Sequence, residues 1–285
     1  MENVTNNNLT EKTKKYYDSN DANSFYYNIW GGEDIHIGIY EEDSDSIFDA
    51  SRKTVSTMGS LTPILNNQSK VLDIGSGFGG SARFLAKKYK CKVECLNLSE
   101  VQNAVNRILN KNEKLENLIS VTAGNFEELP YEAQFYDVVW CQDAILHSKN
   151  RQRVLQEVYR VLKHQGMFIL TDPMQSEDSD QSSLRAILDR IHLDSLSTVS
   201  FYRENASSIG FRDCLFEDKS KNLEIHYTKV LEDIERKEAS IKGKCSTDYI
   251  KNMKKGLRHW IEGGKSGDLC WGIFRFTKPC NSEHS

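Results

Sequence analysis

The chain has 285 residues, with 41 Asp and Glu against 37 Lys and Arg, a formal net charge of −4 and a pI near 6.0. That balance leaves no basic footprint for nucleic acid, and at a mean hydropathy of −0.58 no apolar run nears the roughly 18 residues of a membrane span. The seven cysteines are scattered without metal-ligand spacing and read as buried thiols in a reducing cytoplasm, with no metal centre.

The opening Met1-Glu2-Asn3-Val4-Thr5-Asn6 lacks the basic and apolar regions of a signal peptide and reads as a frayed polar tail of a cytoplasmic protein. Residues 1–68, aromatic over 16–40, are expected to form an N-terminal helical segment and lid. Strands are predicted at Val71–Ile74, Val93–Asn97, Ile119–Thr122, Asp137–Cys141 and Met167–Thr171, with helices at Gly80–Tyr89, Glu100–Lys111 and Gln152–Leu162 between them. In the last helix Val154, Leu155, Val158, Val161 and Leu162 form one apolar stripe, and Gly166 reads as a stop before the next strand.

Such alternation predicts an α/β fold: a parallel sheet covered on both faces, with right-handed crossovers and ligands at the carboxyl ends of the strands. The loops after 74, 97, 122, 141 and 171 then surround one site. The core is expected over 69–217, interrupted at 174–200. Residues 218–268 read mainly helical (Leu223–Lys242, Thr247–Ile261) and are too long for a bare loop, so they are taken as a cap. Phe211–Glu217 and Trp271–Thr277 read as closing strands, the latter within a final core segment, 269–280.

Residues 71–80 read Val-Leu-Asp-Ile-Gly-Ser-Gly-Phe-Gly-Gly, an apolar run carrying an acid into a glycine turn before an amphipathic segment. Gly75, Gly77 and Gly79 allow positive φ and close approach of backbone to a ligand. Gly75, Gly77 and Gly80 also fit the G-x-G-x-x-G of dinucleotide sites. Asp73, however, would oppose a pyrophosphate and suits an ammonium. The ribose-binding carboxylate of a dinucleotide site, about 20 residues on, is replaced by Asn97. A ligand with an amino-acid end and a ribose fits better; the alternative is a turn that only packs strand on helix.

With these loops placed, the chain resembles the class I S-adenosylmethionine-dependent methyltransferases over about residues 14–280. Leu72 to Gly80 is similar to their cofactor signature, and Asn97-Leu98-Ser99-x-x-Gln102 to the ribose-facing turn. Gly124-Asn125-Phe126-x-x-Leu129-Pro130 is similar to the adenine-facing turn, and Asp137-Val138-Val139-Trp140 leads into Gln142-Asp143-Ala144-Ile145-Leu146-His147. The resemblance implies a seven-stranded, mostly parallel, doubly wound sheet with a mainly helical cap. It implies S-adenosyl-L-methionine as cofactor and S-adenosyl-L-homocysteine as product. The implied cofactor contacts are Asp73, Gly75, Gly77, Gly79, Asn97, Leu98, Gln102, Asn125, Phe126 and Gln142, with Tyr17 closing over them. Asn97 and Asn125 stand where the family has carboxylates, and a neutral acceptor bonds about half as strongly as an ionised one.

Within that family the chain is most similar to the glycine, sarcosine and dimethylglycine N-methyltransferases of betaine synthesis. The marks are Phe25-Tyr26-Tyr27-Asn28-Ile29-Trp30-Gly31-Gly32-Glu33-Asp34-Ile35-His36-Ile37-Gly38, Gln142-Asp143, Thr171-Asp172-Pro173-Met174 and His259-Trp260-Ile261-Glu262-Gly263-Gly264. The implied partner is a small-molecule amine, sarcosine or dimethylglycine, with neither nucleic acid nor membrane. A phosphoethanolamine-like or sterol acceptor, or cofactor binding without catalysis, are the alternatives.

Methyl transfer to nitrogen needs a free lone pair. An aliphatic amine of pKa about 10.4 must give up its proton at a cost of roughly 4 kcal/mol at pH 7. Asp143 and His147, four apart, would share a face of a helical turn. His147 is expected to accept the proton or orient the substrate; Asp143 is its partner or a contact to the cofactor's amino-acid end. Tyr26, Tyr27 and Trp30 suit walls for a methylated ammonium, or else core packing. Arg203, with Arg185 behind it, is the expected carboxylate clamp, or else solvated surface.

Overall fold

The computed structural model describes residues 11–30, 32–191, 193–241 and 243–280; the opening tail and Gly31 lie outside them. Seven strands form one sheet: β1 (Lys70–Ile74), β2 (Lys92–Asn97), β3 (Ile119–Ala123), β4 (Tyr136–Gln142), β5 (Leu162–Gln175), β6 (Arg212–Asp218) and β7 (Leu269–Thr277). Their order is β3-β2-β1-β4-β5-β7-β6, parallel from β3 to β5, with β7 antiparallel to both of its neighbours. This is the sheet expected from the resemblance.

Helices α1 (Asn20–Ile29) and α2 (Ile47–Ser60) precede the sheet, and residues 11–18 are also helical. Then come α3 (Gly80–Tyr89), α4 (Glu100–Asn112), α5 (Arg151–Val161), α6 (Gln181–Ile191), α7 (Val199–Ile209), α8 (Lys221–Ile241) and α9 (Thr247–Ser266). Side chains alternate between sheet faces. Val71, Val93, Val138, Trp140 and Ile169 pack in one core with α1, α2, α8 and α9. Leu72, Leu96, Val139, Cys141 and Leu170 pack in the other with α5 and α7.

Two local expectations are corrected. Gly166 does not stop a helix before the strand: β5 already begins at Leu162. Tyr136 pairs with Leu162 and Val138 with Met167, so β5 carries a bulge with Gln165 at φ +63°. A Cβ on Gly166 would lie 2.8 Å from Lys163 O and 3.0 Å from Asp137 O, which explains the glycine. Helix α7 is not anticipated, because Ser, Asn and charged residues dilute its pattern. Thr198 caps it by accepting from Phe201 N, and Tyr202 and Ala206 bury its inner face.

Between β1 and β4 the order of strands reverses, so the loops after these two strands open a crevice at their carboxyl ends. There the candidate residues converge.

Candidate functional site

The glycine loop leaves β1 with Gly75, Gly77 and Gly79 all at positive φ, +75°, +53° and +79°. Gly75 and Gly77 line the crevice. A Cβ at Gly75 would come within 2.5 Å of Ala144 Cβ, so its absence brings the loop after β4 alongside. At Gly79 a Cβ would meet Asn106 Oδ1 at 2.2 Å, so this glycine makes room for α4, while Gly80 borders a smaller adjoining cavity with Asp73 and Gln142. Beneath the loop, the buried Arg83 donates to Asn106 Oδ1 at 3.0 Å, Asn110 Oδ1 at 2.9 Å and Phe78 O at 2.6 Å.

Asp73 is buried at the base of this loop, and among the described residues its Oδ2 has no hydrogen-bond partner. Burial pushes its carboxyl up to about 7, against the pull of His36. Across the same cavity the Gln142 Oε1 accepts from Trp140 Nε1 at 2.8 Å, while among the described residues its Nε2 has no partner. A waiting carboxylate oxygen beside a waiting amide N–H complements a group carrying both ammonium and carboxylate. The residues therefore fit the amino-acid end of S-adenosylmethionine.

Asn97, Leu98, Gln102, Gly124, Asn125 and Phe126 line the other end of the crevice. Asn97 Nδ2 donates to Gln102 Oε1 at 2.9 Å, leaving the Asn97 carbonyl as its acceptor toward a ligand. Asn125 is also tied to its own turn. Its Oδ1 accepts from Glu127 N at 2.9 Å in its own turn, so its carbonyl serves the backbone.

Past β4, Asp143 holds a left-handed φ of +47°, a strained conformation for a residue with a Cβ. Its carboxylate is pinned: Oδ2 accepts from Ile37 N at 2.7 Å and Oδ1 from Trp271 Nε1 at 2.8 Å. Asp143 is therefore not hydrogen-bonded to His147, a correction to the paired reading. Four-residue spacing assumed an α-turn, whereas Asp143 is outside the short 3₁₀ turn, Ile145–His147. The bond of His147 is instead Nε2 to Tyr17 Oη at 3.1 Å, with the rings edge-on at 5.7 Å. Burial, reinforced by Arg151, lowers His147 to about 4, so the imidazole is neutral at pH 7.

Asp143, His147, Tyr17 and Ile35 also border a second cavity of about 390 Å³. Tyr26, Trp30, Tyr227 and Trp260 give it aromatic walls. Tyr26 and Trp30 meet edge-on at 5.3 Å, and Tyr227 tilts on Trp260 at 5.2 Å. Tyr26 and Trp30 are buried in the core as well as lining the cavity, while the Tyr27 side chain lies outside those described.

Arg203 does not join either cavity. It is exposed on α7 with its guanidinium 5.7 Å from the Phe216 ring centroid, and Arg185 is exposed and paired with Asp189 at 2.9 Å. The clamp is corrected away from both. Sequence reasoning missed Ile35, Ile37 and Trp271, and on the far wall Arg190, Tyr227 and Met253. Trp260 and Ile35 were present in the family-like fragments without a role; Arg190 carried no local signal. Among the described residues no group of three His, Cys, Asp or Glu could hold a metal, and no helix is long and apolar enough to cross a membrane.

Residues 72–170 match the family described as a methyltransferase domain. Over 268 residues the chain is 49% identical to the sarcosine/dimethylglycine N-methyltransferase of Halorhodospira halochloris, covering 94% of this chain and 96% of that protein. The protein of the same name from Aphanothece halophytica is 47% identical over 95% of this chain and 98% of its own length. Among solved structures, a candidate sarcosine dimethylglycine methyltransferase from Galdieria sulphuraria superposes with a TM-score of 0.88 at 42% identity, covering 93% of this chain and 99% of that one.

Proposed function

Because this chain belongs to the sarcosine/dimethylglycine N-methyltransferase family, we propose that it methylates sarcosine, dimethylglycine or both toward glycine betaine. One observation carries the reading. A crevice suited to an amino-acid end and a ribose meets an aromatic cavity at Asp143, His147 and Tyr17. The seven cysteines are all free, as a reducing cytoplasm allows, and the cytoplasm is the proposed compartment.

S-adenosylmethionine supplies a methyl group on a sulfonium, open to in-line attack by a lone pair. Asp73 would hold its ammonium, Gln142 its carboxylate and Asn97 a ribose hydroxyl, with Leu98 and Phe126 beside the base. Pinned by Ile37 and Trp271, Asp143 fixes the floor between the two cavities. The acceptor's ammonium proton leaves to solvent, and Tyr17 Oη with the neutral His147 Nε2 orients the amine. The amine is left with a free lone pair. Aromatic faces hold the substrate while it is cationic, and their low polarity favours the neutral amine that reacts.

Two expected results test this reading. Steady-state kinetics on glycine, sarcosine and dimethylglycine should rank them by methyl count, with about 0.8 kcal/mol for each buried methyl-sized group. Trp30→Ala should compress that ranking by weakening dimethylglycine most; an equal loss on all three makes Trp30 a packing residue. Binding of S-adenosylmethionine without turnover of any of the three would leave only a cofactor-binding protein. Separately, Asn97→Asp should tighten cofactor binding by about 0.5–1.5 kcal/mol, because the Gln102 amide can turn to donate while the ribose gains a charged acceptor. Calorimetry showing no gain would remove Asn97 from the ribose.

A further inference from the structure

We infer that Arg190 selects a monocarboxylate on the acceptor and seats it in the aromatic cavity. The inference rests on the proposed methylation of a small amine in that cavity.

Three cations border the cavity: Lys12, Lys15 and Arg190. The lysines are exposed at the rim, whereas Arg190 is half-buried on α6. Its guanidinium lies flat against α9 at Gly256, where a Cβ would come within 1.6 Å of Nη1. The glycine is what admits the guanidinium to this wall. One turn earlier on α9, Met253 Sδ accepts from Arg190 Nη2 at 2.9 Å.

A guanidinium has five N–H donors, and a thioether is a weak acceptor. The acid that borders this cavity is Asp143, whose two oxygens are committed to Ile37 and Trp271. A half-buried guanidinium facing aromatic walls without an ion pair among the described residues is set to receive an anion. Its planar fork matches a carboxylate in two parallel hydrogen bonds. The charge count favours a monoanion. In the reacting form, with the amine neutral, one half-buried cation balances a carboxylate, but a phosphate dianion would leave a negative charge in the cavity that faces only the exposed lysines of its rim. The field of Arg190 also reaches Tyr17, Tyr227 and Tyr249, so it acts on the ring that holds His147. An acceptor placed here has its cationic nitrogen toward Tyr26 and Trp30 and its carboxylate toward α6 and α9. The selected class is short N-methylated amino acids.

The test compares dimethylglycine with N,N-dimethylethanolamine, which has a hydroxyl for the carboxylate, and with its phosphate ester. Each is read as turnover or, where turnover is absent, as inhibition. In Arg190→Met, KM for dimethylglycine should rise 100-fold or more with a smaller change in kcat, while dimethylethanolamine changes less than threefold. Arg190→Lys should fall between. Gly256→Ala, which keeps the charge but displaces the guanidinium, should reproduce most of the KM increase. Calorimetry with S-adenosylmethionine should give wild-type affinity in all three variants, showing them folded. Equal losses on both acceptors, an unchanged KM for dimethylglycine, or preference for the phosphate ester by the wild type overturns the inference. If the wild type turns over no carboxylate acceptor, the proposed function fails first. If the wild type and Arg190→Met methylate dimethylglycine alike, the function stands and only the role of Arg190 falls.

Discussion

Asp73→Asn lowers the affinity for S-adenosylmethionine 100-fold or more, as calorimetry will record. Asp73 is 3% exposed, with one oxygen unpartnered beside the glycine loop. Removing one member of a buried ion pair costs about 3–5 kcal/mol, because the other charge is left uncompensated. The amide keeps the shape and removes the charge, so packing does not account for the loss. The pH dependence follows from the same group. In the ligand-free protein the Asp73 carboxyl stays protonated up to about 7, and an ammonium binds the ionised form. Affinity is therefore full above about 7 and declines as pH falls below it, with a proton released on binding in that lower range. Affinity independent of pH between 5 and 8, or a loss below fivefold in Asp73→Asn, would put the ammonium elsewhere.

The second large effect is expected at His147. His147→Ala should lower kcat with dimethylglycine by about 10²-fold, as loss of a positioning contact can, while cofactor affinity changes less than threefold. Tyr17→Phe should reproduce much of the loss, since it removes the hydroxyl 3.1 Å from Nε2. With cofactor saturating, the wild-type rate should show no inflection near 6.5. His147 is held down to about 4 and stays neutral through the assay range. The rate should instead climb with pH toward the pKa of the acceptor amine. A wild-type inflection near 6.5 would mean a solvated imidazole and a different route for the proton.

What could be read from the sequence was what is local in it. Short apolar runs point to the five strands β1 to β5, because a sheet covered on both faces leaves little room for polar residues, and alternation points to Trp271–Thr277. The glycine loop declared itself since positive φ at Gly75 and Gly77 excludes most other residues there. Contacts across long stretches of chain stayed hidden. Asp143 is fixed by Ile37, 106 residues before it, and by Trp271, 128 residues after it. No spacing rule connects those positions, so the nearby His147 was taken as its partner. Arg190 stays hidden for a similar reason: Arg203 stands beside an aromatic residue and resembles a site, whereas the place of Arg190 depends on a gap at Gly256, on another helix. Gly79 fits the motif by letter, but the atoms it makes room for belong to Asn106.

Thr13, Tyr17, Ile35, Asp143 and His147 border the cofactor crevice and the acceptor cavity alike. Two ligands that share a wall are not thermodynamically independent. Whatever free energy the first expends in fixing that wall is already supplied when the second arrives. The resulting coupling has one value, whichever ligand binds first. On the proposed assignment of the two sites, a loaded cofactor should raise the affinity for the amine by the same factor that the amine raises the affinity for the cofactor. The N-terminal segment, expected from the sequence to form a lid, would through Thr13, Tyr17 and Ile35 take part in both binding equilibria.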